Sequence, residues 1–78
     1  MPRFFFDISD GSDIVDDIGA VFPTLSDARS EAIRTLTEIA SERLPANGPS
    51  MELSIDVLDQ HRMLLLRVRL AFSSQPEI

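Results

Sequence analysis

The sequence predicts an α+β domain: a four-stranded antiparallel sheet with one helix packed on one face, in the order β-β-α-β-β. Three observations carry this. Apolar residues alternate with polar ones in the first and last thirds of the chain. Turn-forming dipeptides separate the alternating stretches. Between them lies one long segment whose apolar residues recur at helical spacing.

The opening stretch RFFFDIS (3–9) places Phe4, Phe6 and Ile8 on one side and Arg3, Phe5 and Asp7 on the other, which is strand spacing. Asp10-Gly11 follows and suits the positive φ angles of a hairpin turn. A shorter strand through Ile14 and Val15 (13–16) returns, Gly19 breaks the segment, and no regular element is expected between Gly19 and Pro23.

A helix is predicted from about 24 to 44. Thr24 can cap its first turn, with Asp27 three residues on completing a capping box. Leu25, Ala28, Ala32, Leu36, Ile39 and Ala40 form one stripe, with Ile33 and Leu44 at its margin, and the alanines let the helix lie close to a sheet. Arg34 and Glu38 are spaced to pair on the outside. Pro45 and Asn47-Gly48-Pro49 end the helix.

The stretch 51–59 then alternates, with Met51, Leu53, Ile55 and Val57 inward and Glu52, Ser54, Asp56 and Leu58 outward. The turn Asp59-Gln60-His61-Arg62 leads to a last strand, 63–72. In it Leu64, Leu66, Val68, Leu70 and Phe72 share one face, and Leu65, Arg67, Arg69 and Ala71 the other. Residues 1–72 are read as one domain and 73–78 as a flexible polar tail.

A chain of 78 residues makes one domain, and it buries only about 60% of its unfolded surface. There is no cysteine, so stability must come from packing or from packing plus self-association. The net charge is −6, of which −4 falls in residues 1–22. That acidity disfavours nonspecific binding of DNA or RNA. All seven basic residues are arginine, which fits either bidentate contacts with anions or a GC-rich coding sequence. No apolar run is long enough to span a membrane and no leader is visible, so the cytoplasm is the expected location.

Catalytic equipment is not predicted. The acids of DISDGSDIVDD do not fit a calcium loop, because the third residue from Asp7 is Ser9, the fifth Gly11 and the twelfth Ile18. The single histidine, His61, sits in a turn and has neither a second histidine nor a cysteine to share a zinc ion. No serine or threonine lies in a nucleophile motif, and no glycine-rich phosphate loop is present. No cofactor and no metal are implied.

One helix covers one face of such a sheet. The uncovered face would carry Phe5, Leu58 and Leu65 together with Arg3, Arg67 and Arg69, a composition suited to a protein interface. The expected function is therefore a small non-enzymatic interaction module. It would associate as a homodimer through the open sheet face or a sheet edge, or take an unidentified protein partner. Two plainer readings compete. Phe5 could lie under the loop at 19–23, and Arg67 and Arg69 could pair with Asp7 and Asp56 on neighbouring strands.

Two resemblances bear on this. Met-Pro-Arg-Phe-Phe-Phe, Asp10-Gly11, Asp16-Asp17-Ile18-Gly19 and the run from Pro23 to Ala32 resemble an uncharacterised family of small alphaproteobacterial proteins beginning MPRYFF or MPRFFF. That family's ending I-x-V-x-D-x-x-G-R is similar to the run from Ile55 to Arg62, with His61 in the place of the usual glycine. The resemblance covers nearly the whole chain and implies a bacterial protein of no known activity. The arrangement of acidic hairpin, Phe22-Pro23 and a helix opening Thr24-Leu25-Ser26-Asp27-Ala28 also resembles HicB-type antitoxins. That likeness implies an antitoxin-like or nucleic-acid-related regulator as the alternative function, although the DNA-binding segment such antitoxins carry is missing.

Overall fold

The computed structural model describes residues 1–43 and 48–77. Its elements are β1 (Arg3–Ser9), β2 (Asp13–Ile14), β3 (Ala20–Val21), α1 (Leu25–Arg43), β4 (Ser50–Leu58) and β5 (Leu64–Ser73). All strand pairs are antiparallel, in the order β2-β1-β4-β5, and β3 joins β1 beside β2. The predicted α+β class and element order stand, with β3 as an addition. Two residues between Gly19 and Phe22 carry no pattern of their own. They pair because β1 offers them Arg3 and Phe4 as partners, a long-range effect.

The core lies between α1 and one sheet face. Leu53, Ile55 and Val57 of β4 are fully buried and meet Ala28, Ala32, Leu36 and Ala40 of the helix. Burying each of these large β4 side chains contributes about 1.5–3 kcal/mol. The alanines bring the helix backbone close to β4, the central strand. Leu25 and Ile33 remain exposed, so the buried stripe is narrower than the sequence periodicity suggests. Thr24 caps as expected: the Asp27 amide donates to its hydroxyl at 3.2 Å. Arg34 bonds Glu38 at 2.5 Å and Glu31 at 2.6 Å on the solvent side. The predicted terminators Pro45 and Asn47, with Leu44, lie outside the described residues.

The three consecutive phenylalanines divide as alternation requires. Phe4 and Phe6 face the helix side and pack on Phe22, with ring centroids 6.5 and 5.9 Å away. Phe5 faces the other side, opposite Leu58.

Two corrections arise at the last hairpin. Leu64 does not join the inward face: it is 51% exposed. A register shift places Leu66 opposite Val57 but Leu64 opposite Leu58, with Leu65 as the extra residue. A bulge of this kind re-aims the side chains beside it. The left-handed position of the turn falls on Arg62 (φ 63°), not on His61, and counted from Ile55 it is Arg62 that stands where I-x-V-x-D-x-x-G-R has glycine. The Arg62 amide donates to the Asp59 carbonyl and the Asp59 amide to the Met63 carbonyl, both at 3.0 Å. These bonds define a three-residue loop whose last residue is left-handed, the position that favours glycine. At the chain's other end β5 runs to Ser73, and the Ser74 amide donates to the Pro49 carbonyl at 2.7 Å.

Candidate interaction surface

The open sheet face takes its residues from the outward positions of β1, β4 and β5. Pairing sets Phe5 against Leu58, Asp7 against Asp56, Asp56 against Arg67 and Ser54 against Arg69. Phe5 and Leu58 are thus direct neighbours, and most of the predicted surface residues are engaged within the chain. Arg67 grips Asp56 with two bonds, at 2.6 and 3.1 Å. This pairing holds the Asp56 carboxyl below its ordinary range, against the opposing effect of burial. Arg69 lies 3.8 Å from Glu52. Arg3 donates to the Ile18 carbonyl at 3.0 Å. Phe5 and Leu58 are half-buried, whereas Leu65 is 41% exposed.

Phe5 is shielded from two directions. Gly19 lies against its ring, so closely that a β-carbon there would come within 2.9 Å of Cε2. The Arg62 guanidinium stands 5.9 Å from the ring centroid, in cation–π range. The plainer readings of Phe5 and of Arg67 thus account for much of this face. Asp7 pairs with Arg62 rather than with Arg67 or Arg69. Asp7 and Asp56, directly opposite one another, would repel; Arg62 and Arg67 each neutralise one of them.

Two residues that sequence reasoning missed organise this region. Asp16 occupies the gap between β2 and β3, where β1 has no strand partner on that side. Its carboxylate accepts the backbone N–H groups of Phe6, Ile18 and Gly19, each at 3.0 Å, while its own amide donates to Asp7 at 3.0 Å. The side chain thereby stands in for the missing strand. The signal in the sequence is Asp16 with Gly19 at i+3, a local loop-capping spacing; the bond to Phe6 leaves no local trace. Arg62 is the second. It donates to the Asp16 carbonyl at 3.2 Å, pairs with the Asp7 carboxylate and covers Phe5, tying the last hairpin to the first.

Arg62 holds a backbone conformation that costs a non-glycine residue about 1–2 kcal/mol. Arg62→Gly and Arg62→Ala lose the same side-chain contacts, but only glycine relieves the backbone. Arg62→Gly should therefore be more stable than Arg62→Ala by about 1 kcal/mol, read from urea midpoints. Equal midpoints would show that the turn relaxes freely.

His61 is exposed at the hairpin tip, where its amide donates to Asp59. No group of three or more acids, histidines or cysteines is gathered for a metal ion among the described residues. No helix of the described residues is long and apolar enough to cross a membrane.

Fold and surface together define a small α+β protein with one helix layered on a sheet whose other face is laced with arginine–carboxylate pairs. Over residues 3–71 the chain matches the family described as domain of unknown function DUF6894, and it belongs to that family. No curated protein and no solved structure gives a significant match.

Proposed function

We propose that the protein is a small non-enzymatic interaction module that self-associates through the free edge of β5. One observation carries this reading. β5 is ten residues long and, among the described residues, pairs on one side only. Such an edge is a template for another strand. Local charge agrees. Residues 64–73 contain Arg67 and Arg69 and no acid, so β5 is where two copies of an acidic chain can approach with least repulsion. Beside the edge, Ile33 of the helix is 38% exposed and joins Val68 and Leu70 in a shallow recess of about 220 Å³. Antiparallel pairing of two β5 strands about a two-fold axis would cover it on both copies. The open sheet face is the weaker route, because its arginines are paired and Phe5 is shielded.

Light scattering on the purified protein tests this. The expected mass is twice the 8.7 kDa of one chain. Ile33→Lys should shift the solution toward single chains. A single-chain mass for the native protein at high concentration would overturn the proposal.

The second reading, a nucleic-acid-related regulator, would require Arg67 and Arg69 to reach phosphates. Both already face carboxylates of β4, so it draws less support. An enzymatic role draws little either: the lone His61 sits at an exposed turn with no nucleophile in hydrogen-bond contact among the described residues.

A further inference from the structure

A second surface, remote in character from the β5 edge, lies on the helix side of β1. The helix packs over β4 and β5, so the inward residues of β1 are covered only partly. Between the helix and the β2–β3 edge runs an open groove of about 430 Å³. Phe6, Ile8 and Phe22 line its floor, and Ile14, Val15 and Ile18 its rim. The three rim residues are exposed, Ile18 to 76%. Single exposed apolar residues are ordinary, but three around an apolar recess form a continuous patch.

The same groove is bordered by acids. Asp16, Asp17 and Glu31 line it. Glu31 is held by Arg34. Asp17 makes no ion pair among the described residues, unlike Asp7 and Asp10, which meet Arg62 and Arg43. The surrounding segment 1–22 carries −4 of the chain's −6. A second copy would bring the same negative charge to this rim and is disfavoured as an occupant.

We infer that this groove is a docking site for a short amphipathic segment of another protein, one that offers apolar side chains to the floor and lysine or arginine to the rim. An apolar groove that takes anchors from one face of a helix is a recurrent mode of peptide recognition. The acidic rim selects the charge of the partner and speeds its approach.

Fluorescence anisotropy with a labelled amphipathic peptide of leucine and lysine tests the site, with the glutamate-for-lysine peptide as counterpart. The lysine peptide should bind the native protein, and the glutamate peptide should not. Ile18→Ser removes an anchor without changing charge or disturbing the core, and should weaken binding about tenfold. Asp17→Asn should weaken it several-fold, with a smaller dependence on salt. Glu52→Gln, on the opposite sheet face, should leave it unchanged. Undiminished affinity in Ile18→Ser would overturn the assignment. So would equal losses in Asp17→Asn and Glu52→Gln, which would reduce the binding to general attraction by an acidic protein. Neither readout depends on the mass of the native assembly.

Discussion

An Asp16→Asn variant should lose about 2–3 kcal/mol of stability, or roughly 10–20 °C in Tm for a domain of this size. The substitution is nearly isosteric, so packing is preserved and the loss isolates the hydrogen bonds. The carboxylate uses one oxygen for Phe6 and the other for Ile18 and Gly19. An amide can keep an oxygen on only one side. If it keeps Ile18 and Gly19, its NH₂ group meets the N–H of Phe6, and two donors face each other at a partly buried site. The bonds that survive also become neutral rather than charge-assisted.

The pH dependence follows from the same site. Burial of Asp16 works against ionisation, but the N–H groups of Gly19, Ile18 and Phe6, helped by Arg62, outweigh it and hold the carboxyl below its ordinary 3.8. A group lowered on folding contributes stability that is present above its unfolded value and is lost as the pH falls through its folded one. The native chain should thus exceed Asp16→Asn by the full margin at neutral pH, and the gap should close below pH 3.8. Paired thermal melts across that range measure it. A gap that stays constant down to about pH 2 would mean that the charge contributes nothing.

Gly19→Ala should cost about 2–4 kcal/mol. Two terms combine. The backbone there is left-handed, at φ 75°, and a β-carbon would stand 2.8 Å from the Phe4 carbonyl oxygen and 2.9 Å from Phe5 Cε2. The aliphatic stem of Arg3, at 3.0 Å, can swing away; the Phe4 carbonyl, fixed in the β1 ladder, cannot. Gly11→Ala supplies the control, since Gly11 also has a positive φ, 104°, but nothing within 4 Å of the new carbon. The excess loss at Gly19, read from urea midpoints, reports the close approach of the loop to β1. Equal losses at the two positions would place the cost in backbone conformation alone.

Much of this fold was legible in the sequence, where local period and burial coincide. Met51 to Leu58 alternates because β4 is central, with one face on the helix and one open, so each residue's polarity is set by its own position. The helix announced itself through the Thr24 cap and its alanine stripe. The misreadings share a different cause. Leu64 was placed inward by counting in twos, and a bulge breaks the count. Arg62 in a left-handed turn runs against residue preference, and what holds it there is a set of contacts with Asp7, Asp16 and Phe5, distant in sequence. The alternation in β1 and β4 also sets Phe5 beside Leu58 on the open face. The Arg67–Asp56 pair is readable from the sequence, but the partner of Asp7 is not, because Asp7 could equally serve Arg67 until the hairpin geometry delivers Arg62 to it. The groove beside β1 escaped notice for the opposite reason: its residues are apolar at positions any strand would bury.

The way β1 is flanked sets a limit on how many copies can join. Sheet extension by strand addition continues indefinitely when both margins are receptive. One margin of this sheet is capped piecemeal, by two fragments of two residues each and by the Asp16 side chain between them, and it offers no continuous run of backbone groups to an incoming strand. The proposed docking at β5 would therefore consume the one receptive margin seen among the described residues, and assembly by this route would terminate at a pair rather than propagate as a fibre.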